Sequence, residues 1–493
     1  MKVDRRAFCK AGGAILGTLS LSACEQAINE IDSRFGGDSD DLSERILVAN
    51  TVQVDDDHHF LNRLSFGPTP ASLAEIKDGG RESWLERQLR FDSIDDRMAQ
   101  LRTRRFESRF ASPGDCFDFR KEVLRADLVR HTLLKAIYSE RQLLEVMVNF
   151  WSDHLNINIE KGNCVYYKTT DDLDVIRKHA LGKFSDLIRA SATGAAMLEY
   201  LDGKDNKIEK PGDAPNENYA RELLELHTLG VDGGYTQKDV YEAARCLSGY
   251  RIREKFGKGK VFFDPACHDD GAKLVLGQVI PAGGGEADLD RLIQIVSRHP
   301  STARYVCTKL IRHFVMDEPT DPLIDSLAKV FLAGEGNIEA VLRKLFNSKE
   351  FFENRGNKIK RPFRFLVSAV RAVGARTLAR EPLYAYLSSM GQEPFQHPTP
   401  DGYPEETLPW LGSLLWRWNF AFGLAAGQIE SVEVDLERLM TALGPEKNSG
   451  ELLFAYLNGR KPTKEERLCL GRHKRDNAEL FGLILSSPAF QRY

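Results

Sequence analysis

The chain has 493 residues, and its 68 basic residues nearly balance its 72 acidic residues, so the formal net charge at pH 7 is only -4. This balance argues against a general nucleic-acid-binding protein, which would be expected to carry a basic surplus. With 42% hydrophobic residues, the chain is long enough to bury a large core, and its composition predicts an ordinary globular protein with no nucleic-acid partner.

The first 23 residues have the pattern of an export signal. Arg5 and Arg6 precede an apolar stretch at 11–21, which is too short for a permanent transmembrane helix. The arginine pair resembles the twin-arginine signal, which carries folded proteins across the membrane. The sequence Leu-Ser-Ala-Cys at 21–24 resembles a bacterial lipobox. We therefore expect cleavage before Cys24 and lipidation of Cys24, which would hold the protein to a membrane surface in the periplasm or cell envelope. The alternative is an ordinary signal peptide with a chance cysteine.

A polar segment at 24–50 follows the signal and includes Gly-Gly-Asp-Ser-Asp-Asp at 36–41. This composition is typical of a tether between an anchor and a folded body. Six cysteines lie beyond the tether, with long spacings and no Cys-x-x-Cys pair. The pattern favours neither a zinc knuckle nor a redox dithiol, and we expect most of these cysteines to be buried free thiols, although an exported protein could also form disulfides.

Beyond the tether, the apolar residues recur with a helical period. Phe150, Trp151 and His154, for example, continue the apolar stripe of one predicted helix. Alternating strand patterns are scarce, and only the stretch around 251–280 is suited to a small β-hairpin. The sequence thus predicts a mostly α protein in which residues 51–493 form a single large helical domain with irregular loops.

The segment NENYARELLELHTLG at 216–230 predicts a helix with one polar stripe. At about 100° per residue, Arg221, Glu222 and Glu225 fall on one face, while His227 falls on the opposite, leucine-lined side. One interpretation is a solvated face in which Arg221 pairs with Glu225, with His227 a satisfied core histidine. The other is that the stripe faces inward, where its two carboxylates bind a metal as in helical di-metal proteins.

Four further polar residues are candidates for the same site. His154 continues an apolar stripe, so its buried ring needs a partner. Asp202 ends MLEYLD just before a polar loop, and His268 and Asp269 lie in the loop ACHDDGAK. Together with the two carboxylates of the polar stripe, these side chains form an oxygen-rich set with imidazoles. Such a set suits a divalent metal such as iron, manganese, zinc or calcium better than it suits a thiolate site.

Seven distinctive motifs lie in the same part of the chain: HHFLNRLSFGPTP (58–70), FWSDHLNI (150–157), MLEYLD (197–202), NENYARELLELHTLGVDGGYTQKDV (216–240), FFDPACHDDGAKLVLG (262–277), HPSTARYVCTKLIRHFV (299–315) and KIKRPFRFLVSAVRAVG (358–374). Together they resemble the bacterial family called domain of unknown function 1800, from about residue 55 to the C-terminus. The resemblance implies a helical, exported protein of unestablished activity, with the candidate residues in its most recognisable motifs. Genes of this family often neighbour those of an exported family with an alkaline-phosphatase-like fold, so the resemblance also implies such a protein as a partner or as a member of a shared pathway. HPTPDGYP (397–404) departs from the pattern, with Tyr403 where Trp is usual.

Two hypotheses for the function remain, since the sequence contains no Gly-x-Ser-x-Gly elbow, no HExxH motif and no Walker phosphate loop. The first is a metal-dependent enzyme of the cell envelope, hydrolytic or oxidative, in which Glu222 and Glu225 hold a metal that activates water or oxygen. In that enzyme His154, His268 and Asp269 would complete the site. The second is a non-enzymatic envelope scaffold that binds or matures a phosphatase-like partner or a surface polymer.

Overall fold

The structure is a computed structural model that describes residues 46, 48–210, 212–444, 449–473 and 476–493. The predicted export signal, with Arg5, Arg6 and Cys24, lies outside the described residues, as does nearly all of the tether.

The described residues contain twenty-three α-helices. Those of the first half are α1 (Asp56–Leu64), α2 (Pro70–Leu89), α3 (Arg97–Thr103), α4 (Lys121–Tyr138), α5 (Gln142–His154), α6 (Cys164–Thr170), α7 (Phe184–Ala192), α8 (Ala195–Tyr200), α9 (Asn218–Glu222) and α10 (Gln237–Cys246). Those of the second half are α11 (Ala287–Ser297), α12 (Pro300–Phe314), α13 (Asp321–Ala333), α14 (Ile338–Phe346), α15 (Lys349–Glu353), α16 (Pro362–Ala372), α17 (Glu381–Ser389), α18 (Leu414–Ala425), α19 (Leu436–Leu443), α20 (Ser449–Asn458), α21 (Lys464–Arg472), α22 (Asn477–Ser486) and α23 (Pro488–Gln491). The predicted mostly α class is confirmed.

The strands of the described residues are short and form three two-stranded antiparallel sheets. They are β1 (Tyr250–Ile252) with β2 (Val261–Phe263), β3 (Lys273–Val275) with β4 (Gln278–Ile280), and β5 (Arg376–Thr377) with β6 (Val432–Glu433). In the first two sheets the central pairs are Arg251 opposite Phe262 and Leu274 opposite Val279. The region in which one hairpin was predicted therefore contains two.

Two helices continue as π-helix, in which each N–H bonds five residues back rather than four. The first π segment, Asp171–Arg177, follows α6 directly, and the second π segment, Leu223–Thr228, follows α9 directly. Such segments are rare and occur often at functional sites. Neither was expected from the apolar periodicity, because that periodicity hardly distinguishes one helical bonding pattern from the other.

One cluster of contacting apolar side chains extends from α1 to α23. In α5, Phe150 and Trp151 are 1% and 0% exposed, as the apolar stripe predicts, and the Trp151 indole N–H donates to the Ala180 carbonyl at 2.8 Å. No helix within the described ranges combines the length and the apolar composition that crossing a bilayer requires.

The six cysteines of the described body are free thiols, as expected for most of them. Five are buried: Cys116, Cys164, Cys246, Cys267 and Cys307. Cys469 is exposed. Burial raises the pKa of the Cys116 thiol to about 11 and that of Cys164 to about 12, so these thiols are protonated and unreactive near neutral pH.

Candidate functional site

The helix predicted at 216–230 is not a uniform α-helix, because α9 gives way to the second π segment after Glu222. The Leu229 N–H accordingly donates to the Leu224 carbonyl, five residues back, at 2.9 Å. An angle of about 100° per residue applies only to an α-helix. The predicted angle between His227 and the polar stripe assumes an α-helix and therefore does not apply after Glu222. The predicted burial of His227 is confirmed, because its side chain is 1% exposed.

The polar stripe of this helix is half-buried. Arg221 lies 3.1 Å from Glu217 and 3.6 Å from Glu225, and the three side chains are 36%, 28% and 25% exposed. The ion pair between Arg221 and Glu225, which a solvated face predicts, is present. The exposures, however, are lower than those of a fully solvated face, so the stripe lies at a boundary between the core and solvent.

Glu222 differs from its neighbours because no side chain of the described residues donates a hydrogen bond to its carboxylate or forms an ion pair with it. Burial raises its pKa above the ordinary value, and the nearby carboxylates of Glu225 and Asp401 add to that effect. Arg221 opposes the rise without cancelling it. A concentration of negative charge therefore lies at this end of the stripe, and a cation would relieve it.

His154 and His227 are both buried, and their ring centroids lie 6.3 Å apart. His154 Nε2 donates to the His227 carbonyl at 3.0 Å, which supplies the partner that its burial requires. No described group bonds to His154 Nδ1 or to either ring nitrogen of His227. Burial, with the Lys309 charge, lowers the pKa of His227 to about 3 and that of His154 well below its usual value. Both rings are therefore neutral near pH 7.

The unpaired nitrogens of His227 are a departure from the expected satisfied core histidine. A buried polar atom without a partner costs about 1–3 kcal/mol, and proteins rarely retain that cost without a reason. The two rings therefore leave three buried nitrogens without a hydrogen-bond partner among the described residues.

A loop at 397–406 brings Asp401 towards Glu222. The Asn156 side-chain amide, just after α5, donates to the carbonyls of His397 and Thr399 at 3.0 and 2.7 Å. Gly402 has a positive φ of 74°, and a Cβ there would lie 2.0 Å from the Asp153 carbonyl oxygen. Only glycine fits this close approach, so the turn after Asp401 is fixed by the backbone of α5.

Buried ion pairs hold the end of the same loop. Arg361 lies 2.7 Å from Asp153 and 3.4 Å from Glu405, and His313 Nδ1 lies 2.9 Å from Glu405. Burial alone would raise the pKa of Glu405, but Arg361 and His313 hold it well below its usual value. The loop is thus anchored at Asn156 and at Glu405, with Asp401 between the two anchors.

His268 and Asp269 belong to a separate network. His268 Nδ1 donates to the Ser248 carbonyl at 2.9 Å, and Nε2 lies 3.3 Å from the Asp288 carboxylate. Asp269 accepts two hydrogen bonds from Arg245, at 2.6 and 3.0 Å, and these lower its pKa to about 2. The hydrogen-bond partners of His268 and Asp269 are therefore Ser248, Asp288 and Arg245 rather than residues of α9, and both side chains are already paired.

Asp202 is also tied to its own neighbours. It has a left-handed backbone with φ 58°, and its carboxylate accepts from Asn218 at 3.0 Å and from Lys161 at 3.1 Å. The Asn218 contact ties the end of α8 to the start of α9. The residue therefore positions the helix that carries the polar stripe rather than adding a free ligand to it.

The six predicted metal ligands thus divide among different networks. Within the described ranges, no group of three or more His, Cys, Asp or Glu side chains is arranged to hold one metal ion. Of the predicted ligands, only Glu222 and Glu225 lie together on one helical segment, and metal binding by this pair stays a prediction. Asp401 is the residue that sequence reasoning missed. The Pro-Thr-Pro-Asp-Gly turn around it was a signal that could have pointed to it.

A second feature was not foreseen, and it lies on the surface. The 3₁₀ segment Leu408–Ser413 and α18 carry seven exposed large apolar side chains. We name these seven the Trp–Leu surface: Leu408, Leu411, Leu414, Leu415, Trp416, Trp418 and Phe422. The only charged residue from 408 to 429 is Arg417, which is 1% exposed and donates to Ser413 and Gln491.

The opposite side of α18 belongs to the core. Phe420 and Leu424 are fully buried, whereas Leu415 and Trp418 are 63% and 47% exposed. A helix that is apolar all round is normally buried all round. The sequence LLWRWNFAFGLA (414–425) could therefore have indicated a helix with a second apolar neighbour, and the described residues do not supply that neighbour.

Comparison of the sequence with known proteins identifies a family whose function is not known. The sequence profile of the family described as "Protein of unknown function (DUF1800)" matches residues 59–492. No curated protein matches the chain, and no solved structure matches it.

Proposed function

The chain belongs to the DUF1800 family, and from that premise we propose that it is an exported, lipid-anchored helical protein of the cell envelope that binds a partner protein through the Trp–Leu surface. The observation that carries the proposal is the concentration of seven exposed apolar side chains on one short segment. Monomeric proteins rarely expose contiguous apolar patches of this kind unless the patch is an interaction site. Tryptophan in particular is enriched among the residues that dominate binding energy.

The charges that flank this surface favour a protein over a membrane. Helices that lie on membranes carry lysine and arginine beside their apolar face. Here Glu406 precedes the segment, and Glu430 and Glu433 follow it. Acidic flanks would repel an anionic leaflet and would complement a partner with a basic rim. The exported alkaline-phosphatase-like family implied by the sequence resemblance is the partner that we propose.

The proposal is tested by binding between purified proteins. Wild type and the double variant Leu415→Glu/Trp418→Glu are titrated with the exported alkaline-phosphatase-like protein of the same cell. Both side chains are exposed, and the change removes only one long hydrogen bond, from the Trp418 indole to the Ser486 carbonyl at 3.3 Å, so the fold should tolerate it. We expect the variant to bind about a hundredfold more weakly, because two central apolar anchors become charged. Leu468→Glu on α21, where the side chain is 62% exposed, is the matched control and should bind as wild type does.

Two results would contradict the proposed partner. The first is equal affinity in wild type and the double variant. The second comes from a photoreactive phenylalanine analogue placed at Leu415 in living cells, if its adducts are lipids or a second copy of this chain. Analytical sedimentation of the purified protein adds an independent check. If wild type is a dimer and the double variant is a monomer, the Trp–Leu surface mediates self-association instead.

The anchor and the export route are tested separately in the host cell. Cys24→Ser should move the protein from the membrane fraction to the periplasm or medium, because a soluble tether would replace the acyl chains. Replacing Arg5 and Arg6 with lysines should block export if the twin-arginine route is used. An unchanged membrane fraction in the first variant would refute lipid anchoring, and normal export of the second would assign the signal to the general pathway.

The metal-dependent enzyme remains the second candidate function, on the strength of one observation. The Glu222 carboxylate has no direct cationic partner in the described part of the chain, and its pKa is raised by burial and by Glu225 and Asp401. A divalent cation such as iron, manganese, zinc or calcium would neutralise this group. When bound, such an ion would supply Lewis-acid or redox chemistry, while Glu222 and Glu225 would hold it.

A further inference from the structure

An open pocket of about 750 Å³ lies on a different part of the molecule. Its walls come from α3 with the loops on either side of it, from α4, from the start of α5 and from the first π segment. We name it the basic pocket. Its volume is within the range of about 300–1,000 Å³ that small-molecule sites occupy, and none of the candidate residues predicted from the sequence lines it.

The lining of the basic pocket is strongly cationic. Seven basic side chains line it: Arg97, Arg104, Arg109, Lys135, Arg141, Arg177 and Lys178. Two carboxylates, Asp96 and Glu145, line it as well. The whole chain, by contrast, carries a slight negative charge. Arg97 pairs with Asp95, outside the lining, at 2.5 Å, so the unneutralised positive charge of the pocket comes from other basic residues.

The floor of the pocket is a rigid and electrically balanced network. Arg177 lies 2.8 Å from Glu145 and 2.9 Å from Asp172, and Arg109 lies 3.0 Å from the same Asp172 oxygen. Lys135 pairs with Asp96. Burial opposes ionisation of Asp172, but Arg177 and Arg109 lower its pKa. The floor charges thus cancel one another and hold the donors in fixed positions.

Two donors of the floor are left without partners. The buried Nη2 atom of Arg177 has no hydrogen-bond partner among the described residues. The buried Nδ1 atom of His131 has none either. Both residues line the pocket, and His131 is only 6% exposed. Burial and the charges of Arg109 and Arg177 lower the pKa of His131 well below its usual value. The neutral ring therefore offers one N–H and one acceptor nitrogen.

The rim adds positive charge that the protein does not neutralise. Arg104 and Lys178 have no carboxylate partner among the described residues. Arg141 donates to the Ile94 carbonyl at 3.0 Å and lies 4.0 Å from Asp92, whose side chain is 89% exposed. Exposed pairs at such distances contribute little. The rim can therefore attract an anion, and its arginines can bind one with two parallel hydrogen bonds.

Apolar side chains line the remaining wall: Phe91, Leu101, Phe110, Leu144 and Leu173. Phe110 is 75% exposed, and the Arg141 guanidinium lies 5.8 Å from the centroid of the Phe91 ring. A ligand that fills the pocket would thus meet cationic donors on one side and apolar surface on the other.

From this arrangement we propose that the basic pocket binds an organic phosphate, with the phosphate between Arg177, Arg104 and Lys178 and its organic portion against Phe91 and Phe110. Donors reach the pocket from several elements, which suits the three free oxygens of a phosphate better than a planar carboxylate. The proposal does not depend on the Trp–Leu surface or on the polar stripe.

The test uses the purified full chain and isothermal titration calorimetry with three probes. Phenyl phosphate carries both the charge and an apolar ring, inorganic phosphate carries only the charge, and phenol carries only the ring. We expect phenyl phosphate to bind about tenfold more tightly than inorganic phosphate, because it also buries apolar surface. Phenol should show no binding. The affinity of phenyl phosphate should fall as salt is added.

Variants at the rim show whether this pocket is the site. Arg104→Gln and Lys178→Gln remove charges that pair with no described carboxylate, so the fold should be retained. Together they should weaken phenyl phosphate binding about tenfold or more, since each removes a charge-assisted contact. Lys464→Gln on α21 is the control, because it removes an equal charge from an exposed position that does not line the pocket, and it should change nothing.

Vesicles of phosphatidylcholine with and without phosphatidic acid distinguish two sources of the phosphate. Binding to phosphatidic acid that the rim variants abolish, with no binding of phenyl phosphate, would identify a lipid headgroup as the ligand. Binding of phenyl phosphate alone would identify a soluble organic phosphate. The proposal is overturned if none of the phosphate probes binds, or if the rim variants bind them as tightly as the Lys464→Gln control does.

Discussion

The loop around His268 and the polar stripe of α9 offer the same chemistry in the sequence, yet the structure treats them differently. At the loop, Asp269 is bound by Arg245, and Asp288 lies beside His268 and Lys273. At the stripe, Glu222 has no such partner in the described residues, and its pKa is raised. The charges of the His268 loop are paired with one another, as in a structural network. The polar stripe, by contrast, retains a carboxylate with which no described residue forms an ion pair.

This difference shows that residue type and spacing cannot by themselves separate a binding site from a structural network. What separates them is whether the protein itself supplies each charged group with a counter-charge. The two regions should therefore respond oppositely to substitution. Removing a partner from the His268 network should destabilise the protein, while removing a carboxylate from the stripe should not.

The largest effect is expected for Asp288→Ala. Asp288 and Lys273 are fully buried and lie 2.6 Å apart, so the variant leaves a buried ammonium without its counter-charge. We expect a loss of about 3–5 kcal/mol in the free energy of unfolding, measured with urea. Asp290→Ala on the same helix is the control. Its ion pair with Arg189 is almost half exposed, so the loss should be about 1 kcal/mol or less. Similar losses in the two variants would remove the distinction between buried and exposed partners.

The next largest effect is the response to a metal chelator. If Glu222 and Glu225 hold a divalent cation, a concentration one hundred times the dissociation constant should stabilise the folded protein by about 2.7 kcal/mol. A chelator should then lower the melting temperature of wild type by several degrees. Glu222→Ala/Glu225→Ala should lose this response and keep its stability without metal, because the repulsion between the carboxylates disappears. Glu217→Ala, on the preceding turn, should respond as wild type does. An equal response in wild type and the double variant would exclude this site.

Local features of the fold could be predicted from the sequence because they depend on neighbouring residues. The apolar stripe ending at His154 predicted that its ring is buried. The predominance of helix follows from the same periodicity.

Features that depend on distant residues could not be predicted in this way. Asp401 approaches Glu222 only because the 397–406 loop is fastened to Asn156 and to Arg361, and no spacing rule relates these positions. The same holds for Asp288, which approaches His268 from α11. The π segment after Glu222 could not be predicted either, because apolar periodicity hardly distinguishes one helical bonding pattern from the other. Sequence patterns therefore predicted individual candidate residues, but they did not predict which of these residues lie together in the fold.

A smaller effect is expected in the acid stability of the His268 network. The hydrogen bonds from Arg245 lower the pKa of Asp269 to about 2, from an ordinary value of 3.8. The stabilisation is therefore complete above about pH 4 and is lost as the pH falls through 2. Asp269→Asn should cost about 1 kcal/mol at pH 5, since water screens part of this ion pair, and the difference from wild type should vanish only below pH 2. Urea unfolding across this range measures both, and a constant difference would contradict the lowered pKa.

The smallest effect has the opposite sign, and it concerns Glu222. Because its pKa is raised above the ordinary 4.5, the folded state disfavours the charged carboxylate. Its favourable contribution is present below pH 4.5 and is lost as the pH rises through the raised value. Glu222→Gln should therefore be more stable than wild type at pH 7 by a few tenths of a kcal/mol, since water screens a half-exposed group, and the two should be equal near pH 4. Glu225→Gln, which loses its Arg221 pair, should show no such gain. If Glu222→Gln instead loses stability at pH 7, and the loss disappears when a chelator is added, a bound cation rather than burial controls this carboxylate.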